Sequence, residues 1–110
     1  MDEVFIALLQ LARDSYNHPM TITAGWRCRE HQLELNPEVP NSSHTRGMAA
    51  DVRCISSREN YEMAGAFRHG GFTRLGRYFQ IVENRAQWTH IHIDSDPSLP
   101  EGVEWVGKAR

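Results

Sequence analysis

The sequence predicts an α+β fold, in which helices pack on a small and mostly antiparallel sheet. Apolar residues near the N-terminus recur at helical spacing, short segments rich in β-branched residues follow, and one late segment alternates strictly between apolar and polar side chains. The chain has 110 residues and contains no internal repeat, low-complexity segment or linker. We therefore expect one domain over residues 1–110, organised around a single core.

The first half of the chain predicts a helix, a strand and a loop. Segment 3–16 has the apolar spacing of an amphipathic helix, and Pro19 disfavours helical backbone in the residue before it. Segment 20–26, MTITAGW, is β-branched and predicts a strand. A short helix is expected over 29–35, followed by a loop over 36–43, where prolines and asparagines cluster.

The second half predicts further strands around one helix. Segment 48–54, MAADVRC, predicts a strand, and Ser56 or Ser57 is placed to cap a helix that runs to about Arg68. Segment 71–82, GFTRLGRYFQIV, predicts a strand, a turn around Gly76 and another strand. The C-terminal VEWVGKAR predicts a short edge element, in which Trp105 anchors the tail.

Composition excludes several classes of protein. A formal net charge of −2 argues against nonspecific nucleic-acid binding, and no apolar run approaches the ~20 residues of a membrane span. The N-terminus begins with acidic residues and lacks the features of a signal peptide, so we expect synthesis in the cytoplasm. Alternatively, export of the chain would use some other route. Cys28 and Cys54 are interpreted as free thiols, although a bridge between them stays open.

The clearest strand, WTHIHID over 88–94, carries a polar row. Because side chains alternate across a strand, Ile91 and Ile93 face one side while His90, His92 and Asp94 face the other. The isoleucine face belongs against the core. The opposite face then presents two imidazoles and a carboxylate at spacings of roughly 6–7 Å.

A second polar pair lies in the stretch SSHTRGMAAD. His44 precedes the predicted strand and Asp51 lies within it, while Gly47 permits a tight turn between them. Catalytic zinc typically takes three protein ligands from His, Asp and Glu. The pattern therefore predicts a metal site between this stretch and the polar row of WTHIHID.

These motifs resemble those of a known family. SSHTRGMAAD fits the pattern S-x-H-x-x-G-x-A-x-D of the zinc D-Ala-D-Ala carboxypeptidase and L-alanyl-D-glutamate endopeptidase family, whose fold is shared with hedgehog signalling domains. HIHID is similar to the family's H-x-H motif, while TAGWRCREHQ and GGFTRLGRY resemble flanking segments. The resemblance runs in order from about Thr21 to Asp94.

The resemblance implies roles for individual residues. His44, Asp51 and His92 would bind Zn²⁺. Arg27 would match the arginine that holds a substrate carboxylate or carbonyl oxygen, which suits its planar, permanently charged guanidinium. Ser42 would either bind substrate or shape the loop. Arg74 and Arg77 are interpreted as solvated charges.

One position departs from the family pattern. Thr89 stands where many members carry an acidic general base, three residues before the last zinc histidine, and threonine does not accept protons usefully near neutral pH. His90 is the first alternative because it shares the zinc-facing side of the strand. Glu83 could reach the site from its loop. Asp94 is a third alternative, although orienting a histidine suits it better.

The sequence thus predicts a monomeric zinc peptidase that hydrolyses peptidoglycan stem peptides or wall fragments, such as a phage lysis enzyme. The bond could be the D-Ala-D-Ala terminus, the L-Ala-D-Glu bond or the cross-link between stems. A non-catalytic zinc-binding module of the same fold, with a binding or virion-structural role, is the alternative, and Thr89 favours it. A metal-free interaction domain is a third interpretation.

Overall fold

The computed structural model describes residues 2–24 and 47–109, which form two helices on a five-stranded sheet. Helix α1 precedes β1 and β2, helix α2 follows them, and β3, β4 and β5 complete the chain. The bounds are α1 Glu3–Tyr16, β1 Ile22–Ala24, β2 Ala49–Arg53, α2 Ser57–Gly70, β3 Arg74–Val82, β4 Arg85–Asp94 and β5 Val103–Lys108. The predicted α+β fold is confirmed. The predicted helix over 29–35 and the loop over 36–43 lie outside the described residues.

The sheet has the strand order β1-β2-β4-β3-β5. All neighbouring strands are antiparallel except β3 and β5, which are parallel. Strand β4 therefore lies at the centre, between β2 and β3. The predicted C-terminal edge element is β5, at one margin of the sheet.

Both helices begin and end at the residues that the sequence favours. The Asp2 side chain accepts a hydrogen bond from the Phe5 amide at 2.9 Å and caps α1, which ends at Asn17 in left-handed backbone. Ser56 caps α2 in the same way, through the Glu59 amide at 3.1 Å. Gly71, with φ of 106°, ends α2 two residues later than predicted.

The prediction of a turn around Gly76 is wrong. Strand β3 runs unbroken from Arg74 to Val82, and the chain reverses instead at Glu83 and Asn84. Both turn residues have positive φ, 51° and 63°, as a tight two-residue hairpin requires. Gly76 belongs to the strand because its missing Cβ leaves space for a neighbouring ring, as described below.

The core lies between the two helices and one face of the sheet. The predicted apolar face of β4 is confirmed, since Ile91 and Ile93 are fully buried there. They pack with buried side chains from both helices and from β2 and β3. No helix in the described part of the chain is long and apolar enough to cross a membrane. The opposite face of the sheet, hereafter the site face, is left for polar and aromatic side chains.

Candidate metal centre and active site

Strand register brings Asp51 and His92 together. Asp51 on β2 pairs directly with His92 on β4, and both side chains lie on the site face. The Asp51 carboxylate Oδ1 is 2.9 Å from His92 Nδ1. These two residues are 41 positions apart in the chain, and they form one polar pair because β2 pairs with β4.

Asp94 holds the other side of the same imidazole. Its Oδ2 is 2.9 Å from His92 Nε2, and its side chain is only 1% exposed. The second oxygen, Oδ1, accepts from Arg74 Nε at 2.8 Å. Arg74 also donates to the carbonyl oxygen of Pro100 at 2.7 Å. A buried carboxylate therefore has a cationic partner and fixes the orientation of the His92 ring.

The two carboxylates change the protonation of His92. Burial by itself lowers the pKa of His92, but the hydrogen bonds with Asp51 and Asp94 outweigh it and raise that pKa to about 9. In the metal-free protein the imidazolium thus bridges two carboxylates at neutral pH. We call Asp51, His92 and Asp94 the metal half of the site face.

Thr89 and His90 form a second polar pair beside this group. The register between β3 and β4 shifts so that Thr89 is an extra residue, a β-bulge, in β4. Its hydroxyl donates to the Tyr78 carbonyl oxygen at 3.2 Å and lies 2.9 Å from His90 Nδ1. If the hydroxyl hydrogen is used by the Tyr78 carbonyl oxygen, the hydroxyl accepts from Nδ1–H. In that tautomer of the neutral ring, the lone pair is on Nε2.

Aromatic residues occupy the other half of the site face. The Trp105 ring lies over Gly76, where an added Cβ would be only 2.4 Å from Trp105 Cε2. The indole Nε1 donates to the Tyr78 hydroxyl at 2.9 Å, and the Tyr78 ring stacks on His90 at 4.7 Å. We call Gly76, Tyr78 and Trp105 the aromatic half of the site face.

Arg74 joins the two halves. Its guanidinium carbon is 5.1 Å from the Trp105 ring centroid, while its Nε bonds Asp94. Trp105 also contacts the His92 ring, with centroids 5.9 Å apart. Arg74 is therefore buried in an ion pair, with 13% of its side chain exposed, and is not the solvated charge that the sequence suggested. Trp105 packs against the site and does more than anchor the tail.

Of the remaining predicted site residues, Glu83 is described and is not brought to this group. Glu83 lies in the tight turn at the tip of the β3–β4 hairpin, roughly 25 Å along β4 from His92. A two-residue turn is too short to swing its side chain over the site. Arg27, Ser42 and His44 lie outside the described residues. Their roles therefore stay predictions.

A comparison with protein families decides the affiliation of the chain. The family model of Peptidase M15 matches residues 3–94. The chain belongs to the Peptidase M15 family. Its α+β architecture agrees with an M15 domain, and M15 membership implies a metallopeptidase, typically zinc-dependent, with a substrate related to peptidoglycan. None of the curated proteins and none of the solved structures compared with the chain matches it.

The donor atoms of the metal half fit zinc. Two ligands of one tetrahedral zinc with bonds of about 2.0–2.1 Å stand about 3.3 Å apart, close to the 2.9 Å between Asp51 Oδ1 and His92 Nδ1. Asp94 would then supply the carboxylate that metal-bound histidines usually contact through their second nitrogen. Within residues 2–24 and 47–109, no three His, Cys, Asp or Glu side chains form a complete metal-binding group. The predicted third ligand, His44, is not among these residues.

The M15 match ends at Asp94, so β5 lies beyond it. Trp105 is therefore a site residue that neither the motifs nor the family match identifies. Tyr78 and Arg74 lie in the segment GGFTRLGRY, but their contacts depend on the pairing of β3 with β4 and β5, which no motif records. Gly76, which predicted a turn, was the available signal, because a glycine within a strand often marks close approach of another group.

Proposed function

We propose that the chain is a zinc peptidase that hydrolyses peptidoglycan stem peptides. It would act either as a D-Ala-D-Ala carboxypeptidase or as an endopeptidase at the L-Ala-D-Glu bond or the cross-link. One observation carries this proposal. In an M15 chain, His92 lies between Asp51, a second predicted ligand, and Asp94, a buried orienting carboxylate.

His44, Asp51 and His92 would hold the metal. When bound, Zn²⁺ would polarise the scissile carbonyl and lower the pKa of a water molecule. Asp94 orients His92 through a hydrogen bond with Nε2, and Nδ1 is thereby directed towards Asp51. Arg74 donates a hydrogen bond to Asp94 Oδ1 and thereby holds that side chain in place for this task.

His90 is the proposed proton carrier, accepting a proton from water and delivering it to the leaving amine. In this role the Thr89 hydroxyl would accept from Nδ1–H, and Nε2 would be the basic nitrogen. The ring lies on the site face, two residues before His92, and Tyr78 fixes its plane by stacking. Thr89 thus positions the neighbouring base instead of serving as one.

Arg27 and Ser42 are proposed substrate-binding residues, on the resemblance alone. Arg27 would position a substrate carboxylate or balance the charge that develops on the carbonyl oxygen. The setting that we propose is a monomer made in the cytoplasm. It would act on the wall after release, as a phage lysis enzyme or virion component, or on wall fragments inside the cell.

A non-catalytic zinc module is the second candidate function. The observation in its favour is Thr89, which occupies the position of the usual acidic base and has its hydroxyl hydrogen bonded to the Tyr78 carbonyl oxygen. Such a module would bind zinc and wall peptide without turnover.

The decisive experiment is mass spectrometry of purified peptidoglycan after incubation with the protein. We expect defined stem-peptide fragments, whose masses identify the bond cleaved, and loss of these fragments on chelation with recovery on zinc addition. Cleavage that persists after exhaustive metal removal would contradict a metallopeptidase. Stoichiometric zinc without any cleavage would support the non-catalytic module.

The variant His90→Ala tests the proton carrier. Because general acid–base catalysis contributes about 10²–10⁴-fold, we expect a kcat loss in that range with zinc content unchanged. His69→Ala, at an exposed position near the end of α2, is the matched control. Full activity of His90→Ala would show that another group carries the proton.

A further inference from the structure

We propose that Tyr78 contacts the bound peptide, and that its hydroxyl donates a hydrogen bond to a carbonyl oxygen of the substrate. The contact would take place in a groove that continues from the metal half along the site face. This inference rests on the proposed function in so far as the ligand is a wall stem peptide. It gives Tyr78 a role that neither the motifs nor the family match states.

The groove has the size and place of a substrate subsite. It has a volume of about 630 Å³, within the ~300–1,000 Å³ of ligand sites. Its lining comes from β3, from β4 and from the end of β5: Tyr78, Gln80, Thr89, His90 and residues 107–109. His90 is two residues from His92 on the same strand face, so the groove begins roughly 6–7 Å from the metal half.

Hydrogen-bond direction leaves the Tyr78 hydroxyl with a donor to spare. An indole nitrogen only donates, so Trp105 Nε1–H uses the phenolic oxygen as acceptor at 2.9 Å. The hydroxyl hydrogen then needs another acceptor, and the described residues supply none. A peptide carbonyl oxygen in the groove would satisfy it.

The ring that carries this donor is held on several sides. Tyr78 stacks on His90 with an angle of 6° between the planes, and its Cε1 would be 2.9 Å from a Cβ added at Gly107. Trp105, which fixes the hydroxyl, itself lies over Gly76. A donor fixed before binding loses little conformational entropy when a ligand arrives, which favours affinity and catalysis.

The chemistry of the groove favours the backbone of an extended peptide. The β3 and β4 side chains that line it offer a phenol, an amide, a hydroxyl and an imidazole, and Lys108 at the end of β5 adds one cation. The first four groups match peptide N–H and C=O groups, and Lys108 would suit a carboxylate of the same peptide. The groove therefore suits the part of a stem peptide on one side of the scissile bond.

Two variants that break the same hydrogen bond test the proposal. Tyr78→Phe removes the hydroxyl and keeps the ring that stacks on His90. Trp105→Phe removes the indole donor and keeps the hydroxyl. We expect Tyr78→Phe to lower kcat/KM for a synthetic stem pentapeptide about tenfold more than Trp105→Phe does, as the loss of one hydrogen bond predicts. Tyr61→Phe, 78% exposed on α2, is the control and should match the wild type.

Zinc content and melting temperature are measured for every variant. For Tyr78→Phe we expect zinc stoichiometry to stay at the wild-type value, because the hydroxyl contacts no predicted ligand. Equal losses in Tyr78→Phe and Trp105→Phe would show that the hydroxyl only positions Trp105, and would overturn the proposal. Wild-type kinetics in Tyr78→Phe would also overturn it.

Calorimetric titration separates this proposal from the proposed peptidase activity. If the zinc-loaded wild type does not hydrolyse the pentapeptide, the titration reports affinity directly. A weaker affinity in Tyr78→Phe than in Trp105→Phe then supports the contact even though hydrolysis has failed. A wild-type protein that neither hydrolyses nor binds the pentapeptide would overturn both proposals.

Discussion

The two halves of the site face are built in different ways. The metal half consists of ionisable groups on β2 and β4, within the M15 match, and hydrogen bonds hold them at distances of 2.9 Å. The aromatic half consists of rings and a glycine on β3 and β5, and its Trp105 lies on a strand beyond that match. Arg74 contacts both halves.

This difference suggests separate tasks: metal binding for the metal half and contact with the substrate for the aromatic half. Ionisable groups at ligand spacing provide what a metal needs, and their identity is restricted because few residue types bind zinc. Aromatic packing shapes the surface beside the proposed metal position, where a substrate would lie. Changes in the metal half should therefore alter metal binding. Changes in the aromatic half should alter the stability of the protein and its binding or hydrolysis of the peptide, with the metal retained.

The largest effect is expected for His92→Ala. The variant removes a predicted ligand. The buried Asp94 loses its contact with the imidazole and keeps its ion pair with Arg74. We expect bound zinc to fall to background in elemental analysis and peptide hydrolysis to disappear with it. Retention of stoichiometric zinc would show that the metal half is misassigned.

Asp94→Asn should have the next largest effect. The carboxylate that orients His92 becomes an amide and the ion pair with Arg74 is lost, while the shape of the side chain is kept. Loss of such an orienting partner typically costs 10–100-fold in metal affinity. Chelator competition measures this affinity, and Asp14→Asn on the exposed face of α1 is the matched control. Unchanged affinity would show that Asp94 supports the fold alone.

The stability of the metal-free protein should depend on pH through His92. Hydrogen bonds raise the pKa of His92 from its ordinary value of 6.5 to about 9 in the folded state. The resulting stabilisation is complete below about pH 6.5 and is lost as the pH rises through 9. The full change is about 3 kcal/mol, at about 1.4 kcal/mol per pKa unit. Urea unfolding between pH 6 and 10 measures it, and His92→Gln should flatten the profile.

Gly76→Ala should show the smallest effect and leave zinc binding intact. The added Cβ would be 2.4 Å from Trp105 Cε2, so the ring must move, at a cost of about 1–3 kcal/mol in the free energy of unfolding. Gly65→Ala on α2 is the matched control, because its Cβ would meet nothing within 4 Å. Helix propensity predicts that this control is neutral or stabilising by up to about 1 kcal/mol. Equal effects of the two variants would contradict the close packing of Trp105.

Periodicity and local signals were sufficient to predict much of the fold. Helical spacing predicted α1, Ser56 was one of two predicted caps of α2, and strict alternation placed Ile91 and Ile93 in the core. The turn at Gly76 was mispredicted because glycine marks both turns and close packing. At Gly76, only the contact with Trp105 shows that the glycine serves close packing and not a turn. That contact depends on the pairing of β3 with β5.

The candidate site was predictable where chemistry restricts the residue type. Strand alternation and the motifs placed Asp51, His92 and Asp94 at one predicted site, and the structure brings these three side chains into contact. Their metal-binding and orienting roles stay predictions. The importance of Arg74 and Tyr78 was not predictable, because an arginine or a tyrosine on a strand has many uses. Their partners, Asp94 and Trp105, lie 20 and 27 residues away in the chain. Glu83 was named because its segment resembled a flexible loop, whereas the hairpin places it far from His92.

The most direct test of the account is a crystal structure of the zinc-loaded protein with anomalous data at the zinc edge. We predict one strong peak at about 2.0–2.2 Å from an oxygen of Asp51 and a nitrogen of His92, with Asp94 still bonded to the other nitrogen of His92. A peak elsewhere in the molecule, or no peak in protein that contains stoichiometric zinc in solution, would contradict the proposed metal centre.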